Sequence, residues 1–361
     1  MSHNYLSSFW IALTSIFLVF PSLSFASEVP EWQSEADRLM AEDLVVYFSS
    51  DSGNTLNLTQ VDDGALFFRI GSGDVLGSMP LESIGPVQII ADTPKGFERI
   101  LMEVGRSTWN VDALNTLRAE AYPMLRFLSL PTEKCNFQYV VLKFFEGLVQ
   151  LNQFPEAIYL LKHLELASLG PYYQEKSIEL LLNLVDANNY PAFNQAVSLI
   201  PLEIIDASNL KKVLSIADRL RNEDRYAMVT PIYERLADNE QVESLEPQMW
   251  QYYCQIYSGE LADQPDFIDV MLRVPSTDPL YALQQLIIGS YYLQTERLAL
   301  AMEAIAEGLA YATPMDAWMP ELMYRSAQLY AALDKPEVAQ SMFKEMQLFF
   351  PQSHWAQKPK L

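Results

Sequence analysis

Residues Leu286–Pro314 read LIIGSYYLQTERLALAMEAIAEGLAYATP, and residues Ala327–Pro351 read AQLYAALDKPEVAQSMFKEMQLFFP. Set one above the other, Gly289, Tyr292, Ala301 and Ile305 fall opposite Ala327, Tyr330, Ala339 and Phe343, all displaced by the same interval. A small residue, an aromatic three positions on, a second small residue and then a bulky apolar one describe two antiparallel helices. The small side chains let the two backbones approach, and the aromatic fills the space beside them. Pro351 ends the last helix, because proline cannot donate the next backbone hydrogen bond.

Run towards the N-terminus, the same register sets anchor positions in second helices at Ala113, Ala157, Phe193, Val229, Asp266, Ala301 and Ala339. The anchors are almost evenly spaced, except that the first step is longer than the others. That step holds Tyr122-Pro123 and Leu130-Pro131, which add a loop. The signal varies along the chain. Leu151-Asn152-Gln153-Phe154-Pro155 keeps a recognisable turn, and Trp250, Tyr253 and Tyr257 give a W-x-x-Y-x-x-x-Y first helix. Phe193 puts a bulky residue where four of the seven anchors are alanine.

This pattern resembles the tetratricopeptide repeat, most specifically in the last two units. The resemblance implies a mainly α protein, a TPR-like α-solenoid of about seven helical hairpins over residues 93–361, in which stacked neighbours share one core. In that family the first helix of each unit lines a concave groove. Carried over position by position, the implied partner-binding groove includes Glu146, Gln150, Asp218, Arg221, Gln251, Gln255, Leu283, Leu286, Leu293, Tyr324 and Gln328. A groove mixing apolar, amide and charged residues suits an extended peptide or a helix. Gln352–Lys358 is expected to add a polar helical turn, with Trp355 covering the last open face.

Ahead of the helical region the texture differs. Trp32, Ala36, Leu39 and Met40 share one face of a helix expected over Glu31–Glu42. Five short β-rich runs follow: LVVYFS (44–49), TLNLTQV (55–61), ALFFRI (65–70), DVLGSM (74–79) and PVQII (86–90). Asp51-Ser52-Gly53-Asn54, Asp62-Asp63-Gly64, Gly71-Ser72-Gly73 and Gly85-Pro86 separate them, and Asp-Gly is a strong hairpin signal. The runs predict a small antiparallel β module, a meander or SH3-like barrel, within a domain over residues 27–92. Gly71-Ser72-Gly73 leads into another strand rather than a helix and carries no lysine, so it reads as a turn and not a phosphate cradle.

Residues 1–26 read as a signal peptide: the apolar run Phe9–Phe20, then Pro21, then Ser24-Phe25-Ala26 with small residues where signal peptidase reads. Cleavage is expected after Ala26, which places the mature protein in the periplasm or outside the cell, with no stable membrane insertion afterwards. The run is short for a bilayer span. The whole chain carries a formal charge of −22, and with no basic stripe to neutralise phosphates it is not expected to bind nucleic acid. Its two cysteines, Cys135 and Cys254, are expected as buried free thiols.

The motifs of catalysis are missing. Only three histidines occur, in separate regions, and there is no G-x-S-x-G, H-E-x-x-H or Walker loop. No catalytic, cofactor-binding or metal-binding residues are expected. The function expected is an exported, non-catalytic scaffold or adaptor of the bacterial cell envelope that binds a protein or peptide partner in its groove. The closing FFPQSHWAQK resembles final repeats of envelope tetratricopeptide proteins that assist outer-membrane assembly or Tol-Pal-type complexes. The alternative is an accessory subunit or enzyme of peptidoglycan or glycan metabolism with its site in the β module.

Overall fold

A computed structural model of the chain describes residues 29–358 apart from 50, 63, 71–75, 85–87, 105–108, 262–267 and 269–272. The signal-peptide expectation, the Gly71-Ser72-Gly73 turn and the anchor at Asp266 lie outside the described residues. Pro30 sits extended just before helix α1 (Glu31–Ala41), where its missing N–H costs nothing. Glu31 in the first turn and Arg38 in the last both complement the helix dipole.

Five antiparallel strands follow: β1 (Leu44–Phe48), β2 (Asp51–Asp62), β3 (Ala65–Ile70), β4 (Leu76–Pro80) and β5 (Ile89–Ala91). They lie in the order β4-β3-β2-β1-β5, so the sheet is a meander whose last strand returns to the far edge beside β1. The pairing Leu44↔Leu58↔Phe68, continued by Val46 and Ala91 between β1 and β5, puts alternate apolar residues on one face. Leu44, Val46, Leu58, Leu66, Phe68 and Ile89 are all buried there. The strands match the five runs expected from sequence to within a few residues at each end.

The rest is helical: α2 (Phe97–Glu103), α3 (Val111–Met124), α4 (Phe137–Gln150), α5 (Phe154–Leu161), α6 (Pro171–Asp186) and α7 (Tyr190–Leu199). Then come α8 (Ala207–Asn222), α9 (Tyr226–Ala237), α10 (Glu246–Ser258), α11 (Tyr281–Gln294) and α12 (Leu298–Tyr311), and finally α13 (Met319–Ala332), α14 (Pro336–Phe349) and the single turn α15 (His354–Gln357). Successive described helices pack on one another from α3 to α7 and again from α8 to α14. Helices one hairpin apart also touch, α4 on α6 within the first run, and α6 on α8, which joins the two runs.

One turn geometry recurs. A left-handed residue follows a first helix at Asn152, Asn188, Asp224, Gly259, Glu296 and Asp334, at nearly even intervals along the chain. The next N–H in each case bonds back to a carbonyl of the last helical turn. Gln153, Asn189 and Arg225 reach Leu148, Leu184 and Leu220, while Glu260, Arg297 and Lys335 reach Gln255, Tyr292 and Tyr330, at 2.8 to 3.0 Å. This six-to-one bond satisfies an otherwise orphaned helix-end carbonyl. Within the hairpin α11–α12, a Cβ added to Gly289 would stand 2.6 Å from the Ile305 side chain and 3.4 Å from the Ala301 carbonyl. Glycine permits that approach without displacing Ile305.

A single apolar core runs from Ala36 in α1 through the sheet and helices to Leu329 in α13, and a second, smaller cluster joins α13, α14 and Trp355. The sheet and α1 are tied to the helices at several points. Trp32 packs edge-on against Tyr159 of α5 at 5.5 Å, and the Tyr159 hydroxyl donates to Asp37. Arg126 donates to the Glu42 carbonyl, and the Ile89 N–H bonds the Lys134 carbonyl at 2.7 Å. Cys135 and Cys254 are free thiols and both buried. No helix among the described residues is long and apolar enough to cross a membrane.

Candidate partner-binding face

Helices α4, α6 and α8 towards the N-terminus, and α8, α10 and α13 towards the C-terminus, hold their polar side chains in two different ways. In the N-terminal half, side chains three or four apart on α4, α6 and α8 line up and pair across neighbouring helices. Lys143 contacts Glu146 at 2.7 Å, Lys176 contacts Glu179 at 2.8 Å and Glu146 at 3.9 Å, and Gln150 donates to Glu179 at 2.9 Å. Lys212 of α8 reaches Glu175 of α6 at 2.9 Å. Burial works against the Lys176 ammonium, but Glu179, Glu146 and Glu175 outweigh it and raise its pKa. The hydrogen bond from Lys212 holds the Glu175 carboxyl below the usual carboxylate range.

Between α6 and α8 this ladder opens into a groove of about 500 Å³. Ile178, Leu182 and Ile216 form its floor, and Glu175, Glu179, Lys211 and Lys212 form its rim. Leu182 is 42 % exposed, an apolar side chain left open in the middle of a charged surface. An apolar floor with both signs of charge around it can take an apolar side chain and orient the polar backbone or charges beside it.

In the C-terminal half the charged side chains are enclosed. Glu321 of α13 is wholly buried, and Arg221 of α8 and Arg325 of α13 are only 6 % and 5 % exposed. Arg221 donates to Glu321 Oε2 at 3.1 Å, and Arg325 donates to Oε1 at 3.2 Å. The Tyr253 hydroxyl of α10 donates to that Oε1 and accepts from Arg325 at 2.6 Å. Rings flank the two cations: the Arg221 guanidinium lies 3.5 Å from the Trp250 ring centroid, and Arg325 lies 4.5 Å from Tyr257 and 4.9 Å from Trp355. Arg221 also stands 3.6 Å from Asp218, which accepts from Tyr233 at 2.7 Å. Burial pushes the Tyr253 and Tyr233 hydroxyls well above their ordinary pKa against the opposing pull of Arg325 and Arg221. Both therefore stay protonated and serve as donors. The Nε–H groups of Arg221 and Arg325 are buried without a partner, so the charges are packed more tightly than they are satisfied.

Of the eleven groove residues expected from sequence, Gln150 is exposed, and Glu146, Asp218, Gln251, Gln255, Leu293 and Gln328 are half-buried. Arg221, Leu283, Leu286 and Tyr324 are buried. Leu283 and Leu286 pack in the core, since every residue of α11 from Ala282 to Tyr291 is buried. The structure brings Glu146 and Gln150 together on the open half. Asp218, Arg221, Tyr324 and Gln328 gather in the filled half, where Gln328 accepts from Arg325 at 2.8 Å. Sequence reading missed Glu321 and Arg325 altogether, although the register sets Glu321 six positions before the small residue Ala327, on the first-helix face; it placed Lys358 in the closing polar turn but gave it no partner. It also missed the groove floor of Ile178 and Leu182.

Beside the sheet a hollow of about 310 Å³ is lined by Gln88, Ile89 and Ile90 of the β5 edge and by Glu98, Thr132, Cys135, Asn136 and Tyr139. Burial raises the Cys135 pKa, which keeps the thiol in its poorly nucleophilic neutral form. The sequence matches no protein-family model and no curated protein.

Proposed function

We propose that the protein is an exported, non-catalytic adaptor whose helical hairpins form a tetratricopeptide-like solenoid of about seven units. A protein or peptide partner binds the open, N-terminal half of its first-helix face. The observation that carries this reading is the turn repeated six times with the same left-handed residue and the same backward hydrogen bond. A hairpin repeated at nearly constant spacing is the building unit of arrays that present extended binding surfaces. The groove between α6 and α8, with exposed Leu182 on its floor, is where such a surface offers uncovered apolar area. Export rests on the charge-free segment before Ser27 and on the Ser24-Phe25-Ala26 site.

The test is capture of partners from cell-envelope extracts by the wild-type chain and by Leu182→Asp. A partner retained in stoichiometric amount by the wild type and lost at least tenfold by the folded variant supports the reading. Equal capture by both, or turnover of glycan by the purified chain, overturns it. Intact-mass measurement should find Ser27 as the mature N-terminus.

A further inference from the structure

Past Pro351 the chain folds back on itself. Ser353 caps the single turn α15 by accepting from the Trp355 N–H at 3.2 Å, and Trp355 is driven to 4 % exposure. Its ring lies 5.1 Å from Tyr324 and against the Arg325 guanidinium, both on the first-helix face of α13. Three positions later, Lys358 Nζ also approaches the Trp355 ring, at 4.2 Å. That ammonium then contacts both carboxylate oxygens of Asp224, at 2.8 and 3.0 Å, in the α8–α9 turn 134 residues earlier. Asp224 is presented by its left-handed backbone and oriented by the Tyr226 hydroxyl, which donates to it at 2.6 Å.

Two anchors thus hold a short segment, Ser353–Lys358. One is an aromatic ring slotted beside a tyrosine and an arginine, and the other is a cation on a carboxylate. The other contacts are apolar or long: Ala356 is buried beside α14, His354 is half-buried, and Gln347 donates to the Ala356 carbonyl at 3.3 Å. The Asp224 carboxylate is half exposed, and such ion pairs hold weakly in water. This is how a short linear peptide is recognised: few anchors, complementary charge and little else.

We propose that Ser353–Lys358 is a tethered ligand, and that the subsite it fills between α13 and the α8–α9 turn binds, in trans, a partner peptide carrying an aromatic residue followed three positions later by lysine or arginine. The inference rests on the adaptor reading and adds to it a second subsite with a defined recognition pattern, closed until a competing segment arrives. The tether supplies the tail at an effective concentration of about a millimolar, so an untethered peptide must compete with that. The partner must therefore bind additional surface or be locally concentrated.

The probe is a fluorescent peptide with the chain's own residues 352–361, titrated into full-length protein and into the full-length double variant Trp355→Ala/Lys358→Glu. The double variant, with its own tail released, should bind the peptide at least tenfold more tightly than wild type. The affinity should fall as salt rises, and a peptide carrying Lys358→Glu should not bind. Equal binding to both proteins, or none to a double variant that keeps its helical circular dichroism, overturns the proposal. If the double variant loses helicity, Lys358→Glu alone replaces it, and the further change Asp224→Lys should restore the hydrogen-exchange protection of Trp355 by rebuilding an opposite pair. Failure here alongside Leu182-dependent partner capture removes only the tethered ligand. Success here without that capture removes only the α6–α8 site.

Discussion

The two halves of the first-helix face use the same positions of the same hairpin and reach opposite ends. Between α4 and α8 the charged residues pair as neighbours on a partly exposed surface and leave a groove open. Between α8 and α13 they turn inward, where one carboxylate, Glu321, is shared by two arginines that are themselves stacked on rings. Position in the repeat therefore does not decide whether a residue faces a partner. What decides it is whether a counter-charge elsewhere in the chain can reach it. Surface pairs are each worth about 0–1 kcal/mol, whereas breaking a buried pair by deleting one partner costs about 3–5 kcal/mol.

That contrast can be broken most directly at Glu321. Glu321→Gln leaves the buried Arg325 without its carboxylate and Arg221 with only Asp218, at 3.6 Å, and should destabilise the chain by about 3–5 kcal/mol in chemical denaturation. Hydrogen-exchange protection should fall in α8, α10 and α13 together. A loss below about 1 kcal/mol would mean that the filled half is held by packing alone. Next in size, Ala339→Leu puts a larger side chain where α14 meets α13 and should cost about 1–3 kcal/mol, read as fraying of the last hairpin. Ala332 is exposed at the end of α13, and Ala332→Leu should cost about 0.5 kcal/mol or less. Equal costs would show that the small-residue register is misassigned.

A smaller gain is expected at the α11–α12 turn. Glu296 holds φ 58°, a conformation costly to a residue with a Cβ and no local bonding option. Glu296→Gly should stabilise by about 0.5–1 kcal/mol, while the same change at Asn152 should gain less, because asparagine tolerates the left-handed region. In the open half, Lys176→Ala removes contacts to two glutamates yet should shift stability by only about 0–1 kcal/mol. A loss near that of Glu321→Gln would erase the distinction between the halves.

Acid should separate the halves as well. Burial lowers the His354 pKa, assisted by Lys358 and opposed by Asp224, Glu321 and Glu223. A base whose pKa falls on docking docks in its neutral form. Tail docking is therefore at full strength above the ordinary histidine value of 6.5 and weakens as pH falls below it. Asp224 stays ionised through that window: burial alone would raise its pKa, but Lys358 and Tyr226 lower it further. Protection of Trp355 and its neighbours measured from about pH 8 to about pH 5, across the histidine range, should decline in the wild type and stay flat in His354→Gln.

Much of this architecture is legible in the sequence, where local pattern suffices. The helix at Glu31, the five strands and the spacing of the hairpins follow from apolar periodicity, Asp-Gly turns and small residues at helix contacts. The burial of Leu283 and Leu286 was legible too. α11 is apolar on nearly every side, with Leu283, Leu286, Ile287, Ile288 and Tyr291 spread around its circumference, and such a helix lies inside rather than along a groove. What no local pattern shows is the pairing of Arg221 with Glu321 or of Lys358 with Asp224. Each charge sits in an ordinary amphipathic helix or turn, and only the assembled chain reveals its partner.

The Arg221–Glu321 contact also has a consequence for the order of folding. Its partners are 100 residues apart, and closing a loop of that length has an entropic cost that grows with the logarithm of its length. No single hairpin can meet that cost, because each stabilises only itself and its neighbours. The hairpins between α8 and α13 must dock first and bring the ends within reach. Until then Arg221, Arg325 and Glu321 remain hydrated, so substitutions at them should speed unfolding while leaving the folding rate almost unchanged. The longest-range buried charge pair of the C-terminal half is thus the last to form and the first to be lost as the chain opens.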